Sequence, residues 1–156
     1  MKPFLILIST LLFVSSTEVT GYRKWHKVTP KPLKMRPAIA TLCAPPTGQP
    51  SNPHGDRYFT VYVNQIGRVA MASPTAHFPV GSVVVKEKLP TASAAQPELL
   101  TVMVKRTQGY FPEGGDWEYQ VYDRQLRQIE AGRLTLCAAC HQKAPDWVFR
   151  ELNNSD

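Results

Sequence analysis

A pair of cysteines followed by a histidine, in the stretch LCAACHQK at residues 136–143, constrains this chain more than any other feature. The three side chains belong to Cys137, Cys140 and His141, close to the C-terminus. Whatever they hold must be accommodated by the fold that precedes them. The spacing is compatible with three kinds of site: half of a zinc site, a thioredoxin-like redox dithiol, or the covalent attachment point of a haem.

A zinc site is disfavoured, because structural zinc normally takes four ligands from two paired clusters. Adjacent Cys140 and His141 are also awkwardly placed to share one tetrahedral ion. The other candidate ligands are not paired with one another in sequence: Cys43, His26, His54 and His77. A redox dithiol normally opens a helix near the start of a βαβ domain, and no βαβ pattern precedes this pair. The motif therefore favours one haem c, with thioethers from Cys137 and Cys140 and iron ligation by His141.

The N-terminus resembles an export signal. A basic start is followed by an apolar run over residues 4–14 and by small residues suited to cleavage after Ser16. We predict a signal peptide over residues 1–16, with cleavage as late as about residue 21, because the apolar run is too short to span a bilayer. Export to the periplasm agrees with covalent haem attachment and is independent of the CAACH motif.

The positive charge of the chain is concentrated in one segment. The net charge is +6, and residues 22–37, YRKWHKVTPKPLKMRP, contain six Lys and Arg and no acid. From residue 37 onward, eleven basic residues balance eleven acidic ones, so nucleic-acid binding is not expected. We predict that residues 17–55 form a basic, proline-rich leader and loop acting as a solvated spacer, with an electrostatic docking arm as the alternative. The haem domain is expected over residues 56–152.

Alternating apolar patterns predict four strands, over residues 57–64, 81–89, 99–106 and 117–123. A short helix capped by Asn64 is expected to end at Pro74, and a terminal helix is expected over residues 144–152. Residues 125–134 are compatible with a turn and short strand or with a helix. The predicted fold class is α+β: a mainly antiparallel β-sheet with a few flanking short helices and a haem attached near the C-terminus.

Four stretches of the chain, taken in order, resemble the cytochrome P-460 family, which includes the cytochromes c′-beta. They are YFTVYVN (58–64), HFPVGSVVVKEKL (77–89), VMVKRTQGYFPEGGDWEYQVYD (102–123) and CAACHQKAPDWVF (137–149). The resemblance covers the chain from about residue 56 to about residue 150. It implies a largely antiparallel sheet with helices around it, export, and one haem c whose distal side is open or exchangeable. A homodimer is common in the family.

The resemblance also implies roles for residues outside the haem motif. In cytochromes P-460 a lysine of the V-K-E block is cross-linked to the haem, and the matching residue is Lys86; cytochromes c′-beta lack that bond. Aromatic residues cap the iron in the c′-beta relatives, and Phe59 and Phe78 match such a cap. Hydroxylamine-oxidising members use a distal carboxylate, and its place is near Thr101, which cannot act as that base; Glu98 is the nearest carboxylate in sequence. From the strand pattern alone, Lys86 would be a solvated residue and the two phenylalanines core residues.

These features predict a periplasmic mono-haem cytochrome with an open iron site that binds nitric oxide or oxidises hydroxylamine or nitric oxide. Turnover and binding are both left open, and the expected partners are a small nitrogen-oxide ligand and a periplasmic redox protein. The alternative is an electron-transfer cytochrome with a six-coordinate haem, which needs a second Met or His ligand. Nothing in the sequence marks one among the available residues: Met35, Met71, Met103, His26, His54 and His77.

Overall fold

The computed structural model describes residues 19–35, 57–150 and 152 of the chain. The predicted signal peptide, the loop at residues 44–55, Cys43 and His54 lie outside these residues. Within the described part, no helix is both long enough and apolar enough to cross a bilayer.

The described residues form one antiparallel sheet with short helices packed on it, which confirms the predicted α+β class. The strands run in the order β1-β3-β4-β5-β6-β7, and β2 also pairs with β3. The elements are β1 (His26–Lys27), β2 (Leu33–Lys34), β3 (Tyr58–Val63), α1 (Arg68–Ala72), β4 (Val83–Leu89), β5 (Leu99–Lys105), β6 (Trp117–Asp123), β7 (Gln128–Gly132) and α2 (Thr135–His141), with 3-10 turns at Tyr22–Lys24, Pro112–Gly114 and Pro145–Trp147.

The four predicted strands are confirmed within two residues at their ends, because alternating β-branched and aromatic residues suit a sheet that is packed on both faces. The ambiguous segment at residues 125–134 contains the edge strand β7. Asn64 does not cap α1 directly. Its side-chain Oδ1 accepts hydrogen bonds from the backbone N–H groups of Gly67 (3.0 Å) and Val83 (3.1 Å), so it ties the turn before the helix to β4.

The terminal helix predicted over residues 144–152 is wrong. Only a 3-10 turn at Pro145–Trp147 forms there, and both Asp146 and Trp147 adopt left-handed backbone angles, with φ of 50° and 58°. An α-helix cannot continue through two such residues. A helix does form ten residues earlier, where α2 carries the CAACH motif.

One face of the sheet packs against the helices and is called here the helix-covered face. Cross-strand partners share a face, and the register aligns Val63, Val84, Met103 and Tyr119 across β3 to β6. These residues form one core cluster with α1, α2 and the C-terminal turn. The next row toward the other end of this face contains Val61, Lys86, Thr101 and Val121, and three of these four are only partly buried.

The opposite face is covered by residues 19–25 and is called here the leader-covered face. Val19 and Tyr22 are buried against it, and the Tyr22 ring meets the Tyr62 ring edge-on at 5.3 Å. The Tyr22 hydroxyl donates a 2.6 Å hydrogen bond to the buried carboxylate of Glu87, and the Arg23 guanidinium donates to the same oxygen at 2.8 Å. Burial and the nearby Glu87 raise the pKa of Tyr22, so the phenol remains a donor.

Residues 19–35 are therefore part of the folded unit, and the expectation of a solvated spacer is wrong for them. The folded unit begins before residue 56, where we expected its start. The basic composition was misleading because apolar side chains that pack on the sheet alternate with lysines that stay in solvent. The exposed lysines of this segment are Lys24, Lys27, Lys31 and Lys34.

Replacing Glu87 tests whether this carboxylate anchors the N-terminal segment. We expect Glu87→Gln to lower the free energy of unfolding by about 2 kcal/mol, the usual value for hydrogen bonds to a charged group. Urea denaturation measures the change. Glu113→Gln, at an exposed glutamate, is the matched control and should be neutral. Equal stability of the two variants would contradict the anchoring role.

Candidate functional site

Helix α2 brings the three residues of the CAACH motif onto one side. Positions i, i+3 and i+4 of an α-helix share a face, so Cys137, Cys140 and His141 point to the same region. The buried Ala138 projects from another side of the helix into the core. This packing leaves Cys137 and His141 partly buried and Cys140 exposed.

The imidazole of His141 is oriented by a backbone carbonyl. Its Nδ1 lies 2.9 Å from the carbonyl oxygen of Trp147. A carbonyl oxygen only accepts hydrogen bonds, so Nδ1 carries the proton and Nε2 carries the lone pair of the neutral ring. Burial lowers the pKa of His141, and the charge of Lys86 lowers it further, against the opposing effect of the Trp147 hydrogen bond. The neutral ring, able to bind a metal through Nε2, is therefore favoured.

Two aromatic rings flank His141. The Tyr119 ring centroid lies 5.8 Å away and the Phe149 centroid 5.4 Å away, both tilted relative to the imidazole. Tyr119 is buried, whereas Phe149 is 45% exposed and Leu136, on the same helix as His141, is 70% exposed. Burial raises the pKa of Tyr119, and nearby Cys137 and Cys140 raise it further. The thiols, the imidazole and apolar surface thus lie together.

Lys86 points toward the same region from the sheet. Its Nζ lies 5.0 Å from the ring centroid of Phe59, within cation–π range, and its charge acts on His141. In the register, Lys86 is opposite Val61 on β3 and opposite Thr101 on β5. The structure therefore brings Lys86, Phe59 and Thr101 together beside the CAACH helix.

Phe78 lies elsewhere. It is 3% exposed, contacts the Trp117 ring edge-on at 5.3 Å, and has the Arg150 guanidinium 4.8 Å from its centroid. Trp117 is at the far end of the helix-covered face from Phe59. Phe78 is thus a core residue at that end. Glu98, the carboxylate nearest to Thr101 in sequence, is paired with Arg57 at 3.0 Å and with Lys88 at 3.5 Å.

Each described residue considered as a sixth iron ligand is either buried by packing or exposed to solvent. Met71 and Met103 are packed in the core of the helix-covered face, and Met35 is buried at the end of β2. His26 is exposed, and the side chain of His77 is 89% exposed. Among the described residues, no three His, Cys, Asp or Glu side chains converge as a metal-binding group.

Sequence reasoning did not identify the residues that support His141. Trp147 acts through a backbone carbonyl, which leaves no side-chain signature. Tyr119 alternates with Trp117 on β6, a pattern that predicts a buried face but no contact with His141. The Pro145-Asp146 pair is compatible with the start of a helix, but an Asp after a proline is also a common turn signal.

The chain matches a known protein family. The model of the family described as Cytochrome P460 matches residues 19–150, which is most of the chain and includes β1 and β2. No curated protein matches the chain. Proteins of the matched family bind covalently attached haem c.

The residues present fit such a group. Covalent haem c needs two accessible thiols near a neutral imidazole, and the half-buried and exposed thiols of Cys137 and Cys140 lie on the same helix face as His141. The proton of His141 is held at Nδ1, which leaves Nε2 for iron. Around this imidazole, the exposed side chains of Phe149 and Leu136 offer the apolar surface that a porphyrin covers.

Removing the Tyr119 hydroxyl should not destabilise the haem-loaded protein. This hydroxyl is buried and has no hydrogen-bond partner among the residues described, so Tyr119→Phe should leave the free energy of unfolding unchanged or raise it. Tyr122→Phe is the control, because its buried hydroxyl donates to Gln120 at 2.7 Å and its removal should cost about 1 kcal/mol. Denaturant unfolding of both variants checks this, and an equal loss in both would contradict it.

Proposed function

The chain belongs to the cytochrome P460 family, and we propose that this mono-haem c-type cytochrome is exported and handles small nitrogen oxides at an open iron site. Nitric oxide binding is the favoured activity; oxidation of hydroxylamine or nitric oxide is the second. The observation that carries the proposal is the grouping of Lys86, Phe59 and Thr101 beside His141.

Three residues of α2 would hold the haem. In the proposal the thiols of Cys137 and Cys140 would form the two thioethers, and Nε2 of His141 would bind the iron. The bound haem supplies a redox-active iron that takes up small ligands. The chain itself orients the imidazole through the Trp147 carbonyl and flanks it with the rings of Tyr119 and Phe149.

Phe59 and Lys86 would line the haem on the sheet side. Phe59 is the aromatic residue proposed to limit access to small ligands, supported by its position next to Lys86. Phe78, with its closed core environment, is proposed to act only in packing. Lys86 is the residue proposed to form the family's cross-link to the haem, supported by its partly buried position on the helix-covered face next to Phe59.

The polar groups near Lys86 favour binding over turnover. Oxidation of hydroxylamine releases protons, so it benefits from a base placed at the site. The residue opposite Lys86 on β5 is Thr101, whose hydroxyl is not a base at neutral pH. The carboxylate of Glu98 already accepts a hydrogen bond from Arg57 and pairs with Lys88. Because neither Thr101 nor Glu98 offers an available base, the site suits binding of an uncharged diatomic ligand better than oxidation of hydroxylamine.

Export and partners are also part of the proposal. Cleavage after Ser16 would keep Val19, which is buried on the leader-covered face, whereas cleavage near residue 21 would remove it. The N-terminal residue of the mature protein, found by mass spectrometry, tests this. A periplasmic redox protein is the proposed macromolecular partner. The homodimer remains a prediction from the family resemblance.

Spectra of the reduced protein with Lys86→Arg and Lys88→Arg test the proposal. Lys88 is on the same strand and face as Lys86 and is the matched control. A red-shifted Soret band that Lys86→Arg abolishes and Lys88→Arg retains would support the cross-link, and the peptide carrying Lys86 would stay joined to the haem peptide after digestion. An ordinary five-coordinate high-spin spectrum in the unchanged protein and in both variants would contradict the cross-link. It would still agree with nitric oxide binding at an open site. A low-spin spectrum would contradict the open site.

Truncation of Phe59 tests its role in ligand selection. We expect Phe59→Ala to tighten binding of a bulky ligand such as imidazole about tenfold, or ~1.4 kcal/mol, with little change for nitric oxide, because the ring no longer occupies the space. Phe78→Leu is the control and should lower stability without altering ligand preference. Ligand titrations followed by absorption measure both. An unchanged imidazole affinity in Phe59→Ala would contradict the role.

A further inference from the structure

The turn at residues 145–147 is held against the sheet by hydrogen bonds that converge on Asp146. Its side-chain Oδ1 accepts from Lys105 Nζ at 2.6 Å, and its Oδ2 accepts from the backbone N–H of Phe78 at 2.7 Å. Its backbone carbonyl accepts from the indole N–H of Trp117 at 2.9 Å. Lys105 also donates to the carbonyl of Gly115 at 2.8 Å. Asp146 is therefore fixed to three separate parts of the fold.

This anchoring holds an unfavourable backbone. Asp146 and Trp147 both have left-handed φ angles, which cost roughly 1–2 kcal/mol for each non-glycine residue. Such a conformation persists only where its surroundings enforce it. The carbonyl that contacts His141 belongs to Trp147, the second of these residues. Its position depends on the bonds that hold Asp146.

The Trp147 ring adds a second constraint on the same turn. The ring packs directly on Gly115, where a Cβ would overlap the ring carbons Cε3 and Cδ2. Gly115 also has a φ of 66°, which disfavours any other residue. The backbone of Trp147 is thus fixed from two directions. Its ring packs on Gly115, and the side chain of the preceding Asp146 is hydrogen-bonded to the sheet side.

We propose that Asp146 is a positioning residue that holds the Trp147 carbonyl on Nδ1 of His141 and thereby sets the electron donation of His141 to the haem iron. This proposal rests on the proposed role of His141 as axial ligand. A carbonyl that accepts the Nδ1 proton makes the opposite nitrogen a stronger donor. A stronger donor stabilises ferric iron relative to ferrous iron, so the intact turn lowers the reduction potential.

Two variants that displace the turn by different means test the proposal. Asp146→Asn replaces one accepting oxygen by a donor and removes a negative charge. Gly115→Ala pushes the Trp147 ring without any change in charge. Glu87→Gln is the control for the first, because its side chain is also 5% exposed and also accepts two close hydrogen bonds, but on the leader-covered face. Gly109→Ala is the control for the second, with φ of 87° and no described atom within 4 Å of the new Cβ.

The haem-loaded proteins are compared by two readouts. We expect a more positive reduction potential and a lower iron–histidine stretching frequency in the ferrous Raman spectrum for Asp146→Asn and Gly115→Ala. Both controls should keep the values of the unchanged protein, although Glu87→Gln is less stable. The charge-neutral Gly115→Ala separates a geometric effect from the electrostatic effect of losing a carboxylate.

The outcomes separate this proposal from the proposed function. A more positive reduction potential in Asp146→Asn without a lower stretching frequency would show a charge effect and overturn the positioning role, as would a folded Gly115→Ala whose two readouts equal those of Gly109→Ala. Unchanged stretching frequencies in both variants would also overturn it. If only one variant folds, its stretching frequency decides. Loss of the iron–histidine signal in His141→Ala, with thioethers still formed, supports the ligand assignment; its retention would instead refute the proposed function.

Discussion

The hydrogen bond between His141 Nδ1 and the Trp147 carbonyl is the interaction on which the arrangement of the site depends. It determines which imidazole nitrogen is available to a metal and ties helix α2 to the C-terminal turn. The position of this turn depends on Asp146, which is hydrogen-bonded to β5, to β6 and to the segment before β4. A single carboxylate therefore connects the core of the sheet to the orientation of the candidate ligand.

The two faces of the sheet serve different purposes. On the leader-covered face, Tyr22 and Arg23 close over the buried Glu87, and apolar side chains fill the remaining space. On the helix-covered face, the end that contains Trp117 and Phe78 is tightly packed. The row containing Lys86 and Thr101 is partly buried. One well-packed face thus supports the sheet while part of the other face stays available for a large apolar group.

The surroundings of His141 differ on its two sides. On the side of the C-terminal turn, hydrogen bonds and left-handed backbone angles leave the imidazole little freedom. On the sheet side, Lys86 and Phe59 contact each other through a cation–π interaction. In the proposed function, the side fixed by the turn orients the imidazole, and Phe59 on the other side limits access to small ligands.

The sequence by itself determined the α+β class, the four central strands and the CAACH motif, because alternation and thiol spacing are local properties. It also singled out Lys86 and Phe59 through the family resemblance, and the structure brings them together. Only the tertiary structure decided that residues 19–35 join the sheet, that Phe78 packs away from Lys86, and that Asp146 and Trp147 form a turn instead of a helix. In each case the deciding contacts join residues far apart in the chain, such as Tyr22 with Glu87 and Phe78 with Asp146. Long-range hydrogen bonds and packing outweigh local propensity at these positions.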